Sequence, residues 1–280
     1  MPANSPDDSP ADSPDHAPDH VPDHTPGSLA WARRLQLGEH TVNVRGTVPA
    51  GRQPILLVHG IGMSGEYFFP FAEVLAPEYD VYAVDLPGYG TTPKPERVLT
   101  LPELGDVLAE VIETLGLKAP VVVGHSMGCQ VVAQALSGHP EMAAGYVLIG
   151  PTVDPDASSL LALAWRLARD TFIEPVSTNI VVARNYLRMG PVRYLRTARS
   201  MVADRLDASI VRCDLPGLIV RGERDPIASR AWIQQLARLA PDAGPAEIPG
   251  GPHAVQHNRP RQLAAACAPF LASVTRSAQP

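Results

Sequence analysis

Four short stretches hold residue types whose combined chemistry, a hydroxyl, an imidazole, a carboxylate and backbone N–H donors, could serve acyl transfer. In Gly124-His125-Ser126-Met127-Gly128 a hydroxyl sits between two glycines, directly after an apolar run and directly before a helix-like segment. The glycines let the backbone turn sharply, so Ser126 projects its hydroxyl. A serine hydroxyl is a poor nucleophile near neutral pH and needs a base beside it. His253, in Pro249-Gly250-Gly251-Pro252-His253, supplies the imidazole, and His257 is its competitor nearer the following helix. Asp225, in Arg221-Gly222-Glu223-Arg224-Asp225-Pro226, supplies a carboxylate to fix the imidazole tautomer. Gly222 begins that turn and Pro226 stiffens the chain, which favours Asp225 over Glu223. His59-Gly60-Ile61-Gly62 can aim a backbone N–H at the space above Ser126. The Ile61 amide, with Gly62 as the alternative, and the Met127 amide make two donors for a developing oxyanion. Taken singly, Ser126 also reads as a helix cap and Asp225 as a surface-turn residue. The joint order and placement turn them into a catalytic set.

These residues need elements to hold them. Ile55–Val58, Val81–Val84, Val121–Val123, Tyr146–Ile149 and Leu218–Val220 are short, continuous apolar runs. Each ends at one of the polar or Gly-rich stretches, as parallel strands buried on both faces do. Leu35–Leu37 and Thr41–Val44 read as an opening strand pair, and Ala246–Ile248 as the last strand. Helix-like segments alternate with them at 67–76, 101–117, 127–138, 231–240 and 259–274. Residues 151–214 break the alternation and predict helices near 158–170, 177–189 and 192–206, split by Pro175 and Gly190-Pro191. Such an insertion covers the carboxyl ends of the strands, where open α/β sheets bind ligands. Three units result: an acidic, Pro-rich tail at 1–28, a core at 29–150 and 215–280, and a helical cap at 151–214.

Charge narrows the function. The chain has 280 residues, with 23 Lys+Arg against 29 Asp+Glu. Six of the acids are aspartates within residues 1–28, so the rest is formally neutral. A neutral body argues against a phosphate-neutralising surface for nucleic acid and against a polybasic membrane anchor. No apolar run reaches about 18 residues, which argues against a membrane span. The tail repeats Pro every fourth residue from 6 to 26, and Pro with repelling Asp leaves nothing to bury, so it reads as disordered. Its His16, His20 and His24 lie on extended chain that preorganises no metal site. Cys129, Cys213 and Cys267 are sparse and in apolar surroundings, which fits buried thiols in a reducing, cytoplasmic setting. Abundant Arg and Ala with only Lys94 and Lys118 suggest a GC-rich bacterial genome.

Through His59-Gly-Ile-Gly62, Asp85-Leu-Pro-Gly-Tyr-Gly90, Gly124-His-Ser-Met-Gly128, Arg221-Gly-Glu-Arg-Asp225 and Gly251-Pro-His253, the chain resembles the α/β-hydrolase superfamily over roughly residues 35–275. The resemblance implies a mostly parallel eight-stranded sheet, a helical lid after the sixth strand and a cofactor-free Ser126-His253-Asp225 site. It also implies that the Asp85 turn is structural. Serine at 126 departs from haloalkane dehalogenases and epoxide hydrolases, which carry Asp there. His125 and Ala254 depart from ring-cleavage C–C hydrolases, which have Asn before the nucleophile and Trp after the histidine. The expected substrate is a small carboxylic ester. C–C, thioester and lactone cleavage, or a non-catalytic binding module, are the alternatives. His59, Gly60, Gly62 and His125 near the nucleophile, with Trp165 and Tyr186 from the cap, are candidate substrate contacts. His59 has the competing role of bonding neighbouring loops. The cap carries nine arginines against seven acids. An inward arginine would select an acidic substrate, whereas solvent-facing arginines fit amphipathic helices.

Overall fold

The computed structural model describes residues 29–154 and 159–277; the tail read above as disordered lies outside them. Eight strands form one sheet: β1 (Trp31–Leu37), β2 (His40–Gly46), β3 (Pro54–Val58), β4 (Asp80–Asp85), β5 (Val121–His125), β6 (Gly145–Ile149), β7 (Gly217–Gly222) and β8 (Ala243–Ile248). Their order is β1-β2-β4-β3-β5-β6-β7-β8. β2 pairs antiparallel with β1 and β4, and every pairing from β4 through β3 to β8 is parallel.

Helices cover both faces. They are α1 (Phe69–Leu75), α2 (Leu101–Leu115), α3 (Met127–Gly138), α4 (Leu160–Ile173), α5 (Val176–Met189), α6 (Pro191–Ala203), α7 (Leu206–Ile210), α8 (Arg230–Leu239), α9 (Val255–Asn258) and α10 (Pro260–Ser277). The pleat divides β3 between two cores. Leu56 and Val58 join residues of α2, α3 and α8, while Ile55 and Leu57 join residues of α1 and α10. All four are fully buried. Burial at about 2 kcal/mol per such side chain fixes the register, because a one-residue slip would exchange the two faces.

Helix ends follow local chemistry. Thr100 and Glu103 close a capping box on α2, and Gly116 ends it at φ 64°. The first expected helix, 67–76, divides into a 3-10 turn over Gly65–Phe68 and then α1. Between β6 and β7 stand α4, α5, α6 and the additional short α7. The expected 192–206 helix stops at Ala203 because Asp204 turns extended and takes hydrogen bonds from Gln130 (2.9 Å) and Gln134 (2.6 Å). Those two glutamines belong to α3, so this contact ties the helical insertion to the body.

Candidate active site

The sharp turn between β5 and α3 is built on close backbone approach. Ser126 has φ 57° and ψ −120°, a strained conformation for a residue with a side chain. A Cβ on Gly128 would collide with the Val58 carbonyl, and one on Gly124 would meet the Gly128 carbonyl at 2.5 Å. Glycine is therefore required on both sides of Ser126. The serine amide donates to the Ile149 carbonyl at 2.9 Å, which holds the turn against β6.

Asp225 and His253 meet beyond β7 and β8. His253 Nδ1 lies 2.8 Å from Asp225 Oδ2. The other carboxylate oxygen accepts the amides of Ile227 (2.7 Å) and Ala228 (3.0 Å), so Asp225 is fixed in orientation. Arg221, missed in the sequence, braces this loop. Its guanidinium donates to the Asp225, Glu223 and Ala228 carbonyls and pairs with Glu247. His253 Nε2 is buried and has no hydrogen-bond partner among the described residues. Burial alone would drain charge from this imidazole, but Asp225, Asp170 and Glu174 outweigh it and push its pKa up to about 9. His257 stacks on Tyr67 at 5.1 Å between ring centroids and does not line the cavity.

A cavity of about 170 Å³ opens over Ser126. Gly60, Ile61, His125, Tyr186 and His253 border it, as does Tyr67. Met127 opens α3, so its amide belongs to a first helical turn, where N–H groups have no intrahelical acceptor. His125 is buried, and its Nε2 lies 3.3 Å from the His253 carbonyl. A carbonyl only accepts, so Nε2 carries the proton. Burial and the neighbouring His253 hold the His125 pKa well below the ordinary value.

Three candidate contacts fall elsewhere. His59 is fully buried; it accepts the Leu86 amide at Nε2 (3.2 Å) and its Nδ1 bonds the Gly60 carbonyl (2.8 Å). Both ring nitrogens are thus spent on loop structure. Trp165 is 67% exposed on α4 and turns away from the cavity. Gly62 does not border the cavity either; a Cβ there would strike the Tyr186 ring, so it makes room for that tyrosine. Asp85 receives the Gly65 and Thr91 amides at 2.7 and 3.0 Å, a loop-holding role.

The helices between β6 and β7 bring acids, not arginines, to the cavity. Among the described residues its wall has no Lys or Arg, but it includes Asp170 and Glu174 from the end of α4. Burial pushes Asp170 up to about 6, and burial with the nearby Asp170 pushes Glu174 up to about 7. Glu174 takes the Ala254 amide at 2.8 Å and the Asn258 side chain, so it steadies the segment just after His253. The four-residue spacing of Asp170 and Glu174 on a helical pattern was the available sequence signal. Arg166 instead donates to the Ile227 carbonyl, Arg184 pairs with Glu66, and Arg193 donates to the Pro95 carbonyl.

Comparison with known proteins gives the family. A sequence profile described as the alpha/beta hydrolase family matches residues 55–266. A 2-(acetamidomethylene)succinate hydrolase of Mesorhizobium japonicum is 28% identical over 266 residues, spanning 86% of this chain and 95% of the relative. A pimeloyl-[acyl-carrier protein] methyl ester esterase of Xanthomonas campestris is 30% identical over 263 residues, spanning 83% of this chain and 99% of the relative. The crystal structure of E-2-(acetamidomethylene)succinate hydrolase superposes with a TM-score of 0.73 at 26% identity, over 86% of this chain and 98% of that one. The chain belongs to the alpha/beta hydrolase family, and its relatives are named hydrolases and esterases.

Proposed function

We propose that this member of the family is a serine hydrolase of small carboxylic esters, with Ser126 as nucleophile, His253 as base and Asp225 as its orienting partner. The observation that carries the reading is the 2.8 Å His253–Asp225 contact, with a free, buried Nε2 bordering the same cavity as the strained Ser126. Ser126 Oγ attacks the ester carbonyl as Nε2 takes its proton. The amides of Ile61 and Met127 receive the negative oxygen. The tetrahedral adduct then expels the alcohol, which leaves with the proton from His253. Water attacks the acyl-enzyme by the same route and returns Ser126 and a carboxylic acid. The domain division follows: residues 29–150 and 215–280 do the chemistry, and the helical cap at 151–214 shapes the cavity.

The named methyl ester esterase relative supports an ester. Thioesters and lactones present the same carbonyl to the same groups. The succinate hydrolase relative is named for a dicarboxylate, and a cavity bordered by two carboxyl groups and no Lys or Arg gives that substrate class no support here. Three free, buried cysteines agree with a cytoplasmic setting. Among the described residues no helix is long and apolar enough to cross a membrane.

The test is hydrolysis of p-nitrophenyl esters from acetate to decanoate by wild type and Ser126→Ala. The reading expects a chain-length optimum at the short end and a loss of about 10⁴-fold or more in the variant. Turnover that survives Ser126→Ala rejects it.

A further inference from the structure

Two hydrogen-bond acceptors at the cavity have no donor. Asp170 Oδ1 is buried and has no partner. His125 is 2% exposed, and its Nδ1 is likewise buried and unpartnered. With the proton on Nε2, Nδ1 is an acceptor. His253 Nε2 is unpartnered as well and is the proposed base, while the Glu174 and Asn179 side chains are committed. Both Glu174 oxygens are taken by Ala254 and Asn258, and the Asn179 amide donates to the Thr171 carbonyl at 2.8 Å. Tyr67 and Tyr186 add aromatic surface to the same wall, which attracts cations. No Lys or Arg among the described residues offsets the two carboxyls there.

Resting on the hydrolase reading above, we propose that Asp170 and His125 Nδ1 form a receptor for a primary ammonium group, so that the preferred ester carries a protonated amine. An ammonium brings several N–H donors and one positive charge. That matches the two unpartnered acceptors, Asp170 Oδ1 and His125 Nδ1, with the Glu174 carboxyl on the same wall. Burial raises the Asp170 pKa and the neighbouring His253 opposes that rise; once His253 is neutral, as proton transfer from Ser126 requires, a bound cation supplies the countercharge that favours the ionised carboxyl. A carboxylate-bearing ester meets the like charge of Asp170 and no Lys or Arg among the described residues of the wall.

Three methyl esters of similar size separate the cases: β-alanine methyl ester, methyl butanoate and monomethyl malonate, assayed at pH 7 on the full chain. The kcat/KM ratio between substrates cancels the titration of His253. The ammonium ester is expected to exceed the neutral one about tenfold, and the malonate ester to fall about tenfold below it. Asp170→Asn keeps the shape and is expected to erase the ammonium preference. Equal rates on all three esters, or preference for the malonate, overturn the proposal. So does an Asp170→Asn loss that is equal on all three, because Asp170 would then act only through His253. Where Asp170→Asn does not fold, the wild-type ratios decide, with Asp170→Ser as the second variant. If none of the esters is cleaved, the ester reading fails, and thermal shift with millimolar propylammonium or propionate still decides the receptor. Stabilisation by propylammonium alone upholds it; equal response or stabilisation by propionate rejects it.

Discussion

The sheet body and the helices between β6 and β7, the proposed cap, obey different rules. In the body, β3, β4, β5 and β6 are buried along their whole length apart from Pro54, and their ends deliver Ser126 and its neighbours to one edge. In the cap, α4 buries only Leu163, while Leu161, Trp165 and Phe172 are 84%, 67% and 90% exposed. Packing dictates nearly every residue of these central strands. It dictates few in the cap, which is left free to choose what it presents to the cavity. The proposed reactive and selecting groups therefore come from regions under different constraint: Asp225 is locked by two amides, whereas Asp170 keeps an open oxygen.

If the body holds the chemistry, Asp225→Asn is expected to lower kcat by about 10⁴-fold, through loss of the correct imidazole tautomer. Its thermal midpoint should change little, since an amide oxygen can still accept from Ile227 and Ala228. Steady-state kinetics beside a melting curve checks both, and a mild kinetic effect would break the division of labour. Next comes Gly128→Ala. Its new methyl would enter the Val58 carbonyl, which belongs to the central strand and cannot yield. The expected cost is about 3 kcal/mol or failure to fold, read by urea denaturation. A variant of unchanged stability would mean that the turn is less tightly built than its backbone contacts imply.

The same contrast explains what the sequence disclosed. The expected helix over 127–138 coincides with α3, and the buried runs of β3 to β7 lie where expected, because fully buried strands and a glycine-flanked turn have strong local signatures. Placement of Ser126, Asp225 and His253 at strand ends followed from that. The cap was different. Trp165 was expected at the substrate because it is large and apolar, yet a thinly packed helix does not force it inward. Asp170 and Glu174 went unnoticed because an acidic side chain on an amphipathic helix normally faces water. Only the docking of α4 over the cavity makes them inward. His59 also depends on tertiary contact, since its partner Leu86 is 27 residues away. Asp204 ends α6 through side chains of α3, about 70 residues distant in sequence, which no local capping rule could reveal.

A sharper probe of the coupling between regions is the pH profile. His253 must be neutral to accept the serine proton, so kcat/KM rises as the imidazole loses its proton. Its pKa of about 9 places that limb well above the ordinary histidine range. Asp225, Asp170 and Glu174 face it as acids, and His125 faces it as a base held neutral by burial. Removing an anion destabilises the imidazolium and lowers its pKa. Asp170→Asn is therefore expected to move the limb to lower pH by about one unit on a neutral ester. An unmoved limb would show that the cap does not tune the body's base.

The smallest effect expected is at Trp165, and it tests the other half of the comparison. This side chain is 67% exposed and does not border the cavity. Trp165→Ser should leave kcat/KM on short esters unchanged and alter unfolding free energy by within about 0.5 kcal/mol, the usual range for a surface position. Leu163 sits two residues earlier and is buried against the body, so Leu163→Ala should cost about 2 kcal/mol or more on the same helix. The pair isolates burial from helix propensity, since alanine is a good helix former and serine is only moderately worse. A large loss of activity with Trp165→Ser alone would mean that α4 rotates to bring the indole inward when substrate binds. The cap would then be a moving cover whose exposed face in the empty protein is not its working face.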